Sequence, residues 1–183
     1  MSHFIGRVPA LGLALACAMS LAGAAAVQAE ELKVGDKAPD FSLQGTDGKT
    51  YSLDQFKGKK AIVIAWFPKA DTPGCTIECK SLKENGDALK PLNVAYFTAS
   101  VDTPEDNKKF AEKLGLDYPI LSDPTKSVGQ AYGVINPARG FANRWTYYID
   151  KEGTIKEIDK EIKTKSAGQD VAAKVKALGL TSK

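Results

Sequence analysis

The apolar residues of this chain fall into blocks whose spacing changes from one stretch to the next. "KKAIVIAWFP" (residues 59–68) is a continuous β-branched and aromatic run, the pattern of a strand buried on both faces. "NVAYFTASVD" (93–102) repeats it. Ahead of both, "DFSLQGTDGKTYSL" (40–53) carries two short alternating runs around Gly45 and an Asp-Gly pair, which is a hairpin signal. Thr72-Pro73 opens a stretch expected to be helical through Leu82 towards Leu89, and Thr103-Pro104 opens another that closes at Gly115. Threonine suits the N-cap and proline the first helical position. "YPILSD" (118–123) reads as a short strand and "KSVGQAYGV" (126–134) as a short helix. "RWTYYID" and "GTIKEI" read as a strand pair turning at residues 151–153, and "QDVAAKVKALG" as an amphipathic final helix. Buried strands alternating with helices, then a hairpin and a helix, predict an α/β sandwich with a central mixed sheet. Trp66, Phe67, Trp145, Tyr147 and Tyr148 are read as core or sheet-face residues without chemistry.

The first residues follow a different pattern. Arg7 precedes an uncharged run of small and apolar residues, 11–27, and "VQA" stands before "EEL". That is the layout of a secretory signal peptide, so residues 1–29 are expected to be a cleaved leader and the protein to be periplasmic. An uncleaved anchor is the rival, because the run approaches the length of a membrane span. A lipoprotein signal ending at Cys17 fits less well, since the apolar run continues past the cysteine. Without the leader 154 of the 183 residues remain (30–183), the size of one domain, with 24 basic against 22 acidic residues. Both signs are interspersed, which argues against a nucleic-acid partner or a membrane surface. No repeat or linker is readable, and a monomer is the expectation.

Cys17 and His3, the only histidine, would leave with the leader, so the domain keeps two cysteines, Cys75 and Cys79. An exported domain of this size needs no disulfide to hold its core, which makes the pair more chemical than architectural. With Thr72 as N-cap, Cys75 is the third helical residue, near unpaired N–H groups and the positive end of the helix dipole. Such surroundings favour the thiolate, the nucleophilic form. Cys79 lies one turn further on. In an intact helix the two Cα atoms would be about 6 Å apart, but their Cβ atoms would remain wider than the roughly 3.8 Å that a disulfide needs. The helix must fray before the sulfurs join. A structural zinc site wants four ligands, which this domain does not have. A thioredoxin-type dithiol has two intervening residues, against three here. A copper carrier would use the same C-x-x-x-C pair with a distant histidine that the domain lacks.

With "FPKADTPGCT" in view, the chain resembles the peroxiredoxins, and most of all their Q-type, or bacterioferritin-comigratory-protein, branch. Pro68, Thr72 and Cys75 meet the P-x-x-x-[TS]-x-x-C motif, and the likeness continues through residues 100–123, 131–134 and 143–153. The resemblance implies a thioredoxin-like fold in its peroxiredoxin variant, with an N-terminal hairpin. It implies thiol peroxidase activity on hydrogen peroxide and small organic hydroperoxides, with no metal or organic cofactor. Cys75 would be the peroxidatic thiolate and Arg144 the active-site arginine. The Thr72 hydroxyl and backbone N–H groups near Gly74 and Cys75 would stabilise the negative oxygens, with Pro68 shielding the sulfur. Thr72 is expected to cap its helix as well. Glu78 would either hold Arg144 by a charge-assisted pair or be a solvated helix residue. Cys79 is expected to resolve the sulfenic acid as an intramolecular disulfide, recycled by a thioredoxin-like protein. It stands four residues after Cys75 where relatives commonly have five, so an external thiol acting directly on Cys75 is the competing route. Asn107 stands where relatives often have histidine. The reading from another class is an exported copper-binding or thiol–disulfide exchange protein.

Overall fold

The computed structural model describes Met1 and residues 31–181; the expected leader lies outside the described residues. Seven strands form one sheet in the order β2-β1-β5-β4-β3-β6-β7. The hairpin is β1 (Ser42–Gly45) with β2 (Thr50–Ser52), its turn made possible by the left-handed Gly48 (φ +81°). The two apolar runs become β3 (Ile62–Trp66) and β4 (Ala95–Ser100), paired in parallel at the centre. Parallel to β4 runs β5 (Ile120–Ser122), which also receives the hairpin through β1. On the other side β6 (Trp145–Ile149) lies antiparallel to β3 and carries β7 (Ile155–Asp159) at the edge.

All five residues of β3 are buried, and their alternation divides the core. Ile62, Ile64 and Trp66 join Phe97, Leu121, Tyr132 and Tyr147 on one face. Val63 and Ala65 join Leu82, Tyr148, Val171 and Val175 on the other. That second face is covered by α1 (Pro73–Glu84), α3 (Pro104–Leu114) and α5 (Ala167–Ala177). A short α4 (Ser127–Ala131) leads into Tyr132 on the first face. A third apolar cluster joins Phe67, Cys75 and Cys79 to Phe110, Ala111 and Ile120, between α1, α3 and β5.

The helix expected to reach Leu89 stops earlier. Asn85 turns its amide onto the Ser81 carbonyl at 2.8 Å, a local bond that competes with the helical ladder. A separate turn, α2 (Gly86–Leu89), follows. The two Thr-Pro starts also differ. Thr103 caps α3 by accepting from Asp106 N–H at 3.1 Å. Thr72 occupies the N-cap of α1 with Pro73 behind it, but its hydroxyl makes no cap bond and donates to the Lys69 carbonyl at 3.0 Å. The expected side-chain cap at Thr72 is therefore absent.

Candidate active site

β3 ends at Trp66, and the chain passes through Phe67 and a half-buried Pro68 into the loop that starts α1. This loop is held at both flanks. Ala70 N–H donates to the Asp102 carboxylate at 2.8 Å, and Asp71, in a left-handed conformation (φ +59°), pairs with Lys113 of α3 at 2.6 Å. Asp102 follows β4, the neighbour of β3, so the sheet itself fixes where the loop is caught. Among the described residues the Gly74 and Cys75 N–H groups bond to no acceptor, as the first turn of a helix requires.

Arg144 arrives from far along the chain. Trp66 pairs with Trp145 in the β3–β6 ladder, so the residue before Trp145 stands beside the end of β3 and above the first turn of α1. There the guanidinium forks. Its Nη2 donates to Cys75 Sγ at 3.3 Å, and its Nη1 donates to Glu78 Oε2. Cys75 and Glu78 are three apart on one helix, hence on one face, and the planar fork of arginine spans them as a lysine could not. Gly74 leaves room for this: a Cβ there would come within 3.3 Å of Arg144 Nη2.

Burial sets the electrostatics. The Glu78 side chain is 1% exposed and that of Arg144 22%. Burial pushes the Glu78 carboxyl up to about 7, against the pull of Arg144. Of the pair, Glu78 bears the greater penalty because it is the more completely sealed. Burial works against the charge of Arg144 as well, but Glu78 and then Cys75 outweigh it and hold its pKa above the ordinary value. The opposite Glu78 oxygen, Oε1, is buried without a hydrogen-bond partner.

Cys75 and Cys79 are both free thiols and both 0% exposed. Burial, then the neighbouring Glu78, push the Cys79 thiol up to about 12. Its carbonyl accepts from the Tyr118 hydroxyl at 2.9 Å. The structure thus brings Cys75, Glu78 and Arg144 into direct contact and sets Cys79 in the same apolar cluster. Thr72 and Pro68 frame the loop, with the Thr72 hydroxyl turned to Lys69. Glu78 is a buried partner of Arg144 and not a solvated helix residue. Sequence reasoning missed Asp102 and Tyr118, which hold the loop and the Cys79 carbonyl from just after β4 and just before β5; neither belongs to the local motif around Cys75. Asn107 is fully buried, bonded to Ser100 and Ser122 at 3.0 and 2.9 Å. No group of three or more His, Cys, Asp or Glu among the described residues could hold a metal.

A mixed sheet with this helix and a thiol gripped by an arginine at its first turn defines a thiol enzyme of thioredoxin-like fold. The AhpC/TSA family model matches residues 34–158. Peroxiredoxin Bcp of Escherichia coli is 37% identical over 139 residues, 73% of this chain and 88% of the relative. Peroxiredoxin Bcp of Bacillus subtilis is 32% identical over 140 residues, again 73% and 88%. The crystal structure of Peroxidoxin BcpB from Mycobacterium tuberculosis superposes with a TM-score of 0.73 at 26% identity, covering 80% of this chain and 98% of that one. The chain belongs to the AhpC/TSA family, in its Bcp or Q-type branch, and is a peroxiredoxin, a thiol peroxidase.

Proposed function

We propose that Cys75 is the peroxidatic cysteine and that Arg144 aims its charge at the reacting atoms. The observation that carries this reading is the guanidinium bridging Cys75 Sγ and Glu78. Cys75 thiolate attacks the terminal oxygen of hydrogen peroxide or a small organic hydroperoxide. The S–O bond forms, the O–O bond breaks, and the departing RO⁻ takes a proton to leave as water or an alcohol. Negative charge grows on both oxygens in that step, and fixed donors aimed at them lower the barrier. Arg144 Nη2 and the unpaired Gly74 and Cys75 N–H groups are the donors at hand. The Thr72 hydroxyl, given to Lys69, offers its oxygen lone pairs and must turn before it can donate. Because Cys75 is covered, peroxide entry requires movement of the loop or of Arg144.

Cys79 then resolves the sulfenic acid: its thiol loses a proton as its sulfur attacks Cys75 Sγ, S–S forms, S–O breaks, and the departing hydroxide takes up that proton and leaves as water. A thioredoxin-like dithiol protein reduces the product. Both sulfurs sit in one intact helix, and Cys79 is a buried neutral thiol, so α1 must unwind first. That same burial favours the second reading, in which an external thiol attacks the Cys75 sulfenic acid directly. Peroxide added to the reduced protein, followed by mass spectrometry, decides. Loss of two hydrogens with a Cys75–Cys79 link is expected, Cys75→Ser should abolish consumption, and Cys79→Ser should stop at a sulfenic acid. Unchanged turnover by Cys79→Ser would establish the external route, and normal turnover by Cys75→Ser would refute the mechanism. Export to the periplasm with removal of residues 1–29 completes the proposal; it rests on the pattern of the first residues, and N-terminal sequencing of the protein from cell fractions tests it.

A further inference from the structure

The site described so far uses one oxygen of Glu78. Oε2 accepts from Arg144, whereas Oε1 is buried and unpartnered. An unsatisfied buried polar atom is destabilising, and more so when charged, so Oε1 calls for a water or a proton. A small cavity touches Glu78 away from the sulfur: Ala65, Leu82, Thr146 and Val171 line it, and neither Cys75 nor Arg144 does. Its volume, about 20 Å³, exceeds the roughly 10–15 Å³ that one water needs. It lies between α1, the β6–β7 end of the sheet and the start of α5.

The charged and titratable groups around it come from each of these elements. β6 supplies Tyr148, β7 Asp159, the following segment Glu161 and Lys163, and α5 Asp170. The three carboxylates outnumber the one ammonium, so on this side nothing offsets the burial of the Glu78 charge as Arg144 does on the other. From the opposite side Glu78 faces Arg144, and Cys79 and Tyr118 both feel its charge.

We propose that this cavity is a water-filled proton port, through which Glu78 gains and loses a proton on the side away from the peroxide. Glu78 is then a positioning residue whose protonation state decides how fully Arg144 commits to the Cys75 sulfur. Ionised, it competes with the thiolate for one guanidinium; neutral, it leaves that charge to the sulfur. The exchange is a simple proton transfer between the carboxyl and solvent by way of the trapped water. Burial, which raises the Glu78 carboxyl to about 7, brings this exchange into the neutral range. The inference rests on the peroxidase reading, but its port can be tested apart from turnover.

Two measurements address the port directly. A high-resolution crystal structure should show an ordered water within hydrogen-bonding reach of Glu78 Oε1, and a dry cavity would overturn the proposal. Difference infrared spectra of the reduced protein should show a protonated carboxyl band that disappears through the neutral range and is missing in Glu78→Gln. Ala167, which lines the cavity at the start of α5, supplies the third test. Ala167→Val fills the space, and the infrared midpoint should move to higher pH, with the inflection in the rate of Cys75 oxidation moving alongside. A midpoint identical to wild type, or a neutral-range inflection that survives in Glu78→Gln, would refute the port. Failure of the peroxidase reading shows separately, as undiminished turnover by Cys75→Ser.

Discussion

A threonine before a proline serves two ends in this chain, and the neighbour three residues on decides which. At Thr103 the third helical residue is Asp106, whose carboxylate accepts the Thr103 hydroxyl hydrogen at 2.8 Å while its N–H reaches the oxygen. At Thr72 that place is held by Cys75, which offers no carboxylate, and the hydroxyl turns back to Lys69. The dipeptide was legible as a helix start; the direction of its side chain depended on a partner the dipeptide does not contain. Pro68, Thr72 and Cys75 were readable because one local motif holds them. The Arg144–Cys75 contact spans 69 positions and entered only through the family resemblance. Arg144→Lys keeps a charge but not the fork, so the Cys75 oxidation rate should fall roughly 100-fold or more, read by stopped-flow with hydrogen peroxide. Glu78 carries a stability signature with a definite sign. Its folded pKa of about 7 lies above the ordinary 4.5, so its contribution is complete below pH 4.5 and is lost as pH rises through 7. The loss is about 3 kcal/mol. Urea unfolding at pH 5 and pH 8 should show this loss in wild type and not in Glu78→Gln.

At the scale of elements, α1 carries both thiols, and different things hold its two halves. Beyond Cys79 the helix is clasped by α5 and the residues leading into it: Ser81 Oγ donates to the Lys165 carbonyl at 3.1 Å and accepts from Gly168 N–H at 3.1 Å. Gly168 fits tightly enough that a Cβ would meet the Ser81 carbonyl at 2.2 Å. Tyr118 holds the Cys79 carbonyl from β5's side. The first turns are held instead by Arg144, through the Cys75 and Glu78 side chains, so a Cys75–Cys79 disulfide would require that fork to release and the unwinding to reach Cys79. Tyr118→Phe removes that bond and keeps the ring against Tyr96. If Cys79 resolves the sulfenic acid, the variant should form the disulfide faster after peroxide, as rapid acid quenching and mass spectrometry would record. The break after Glu84 was not legible, since helical spacing continues through it and only the Asn85 side chain interrupts the ladder.

For the whole molecule, the alternating hairpin, the two apolar runs and the amphipathic last helix each appeared where the pattern placed them. Strand order did not. Placing β6 beside β3 and the hairpin beside β5 depends on pairings across long loops, which no local window contains. Yet that order makes the site: the Trp66–Trp145 pair puts Arg144 over α1. Because sheet and site are one construction, denaturant should abolish rapid peroxide reactivity and the sheet's circular dichroism in a single transition. Separate midpoints would show the site coming apart locally.

The union of two remote segments in one ladder also has a consequence in time. A chain still emerging from the ribosome has not yet brought Arg144 to the thiol at position 75. On the proposed reading of Cys75, reactivity is switched on when residues 145–149 zip alongside 62–66, so maturation arms the weapon only once the scabbard is built.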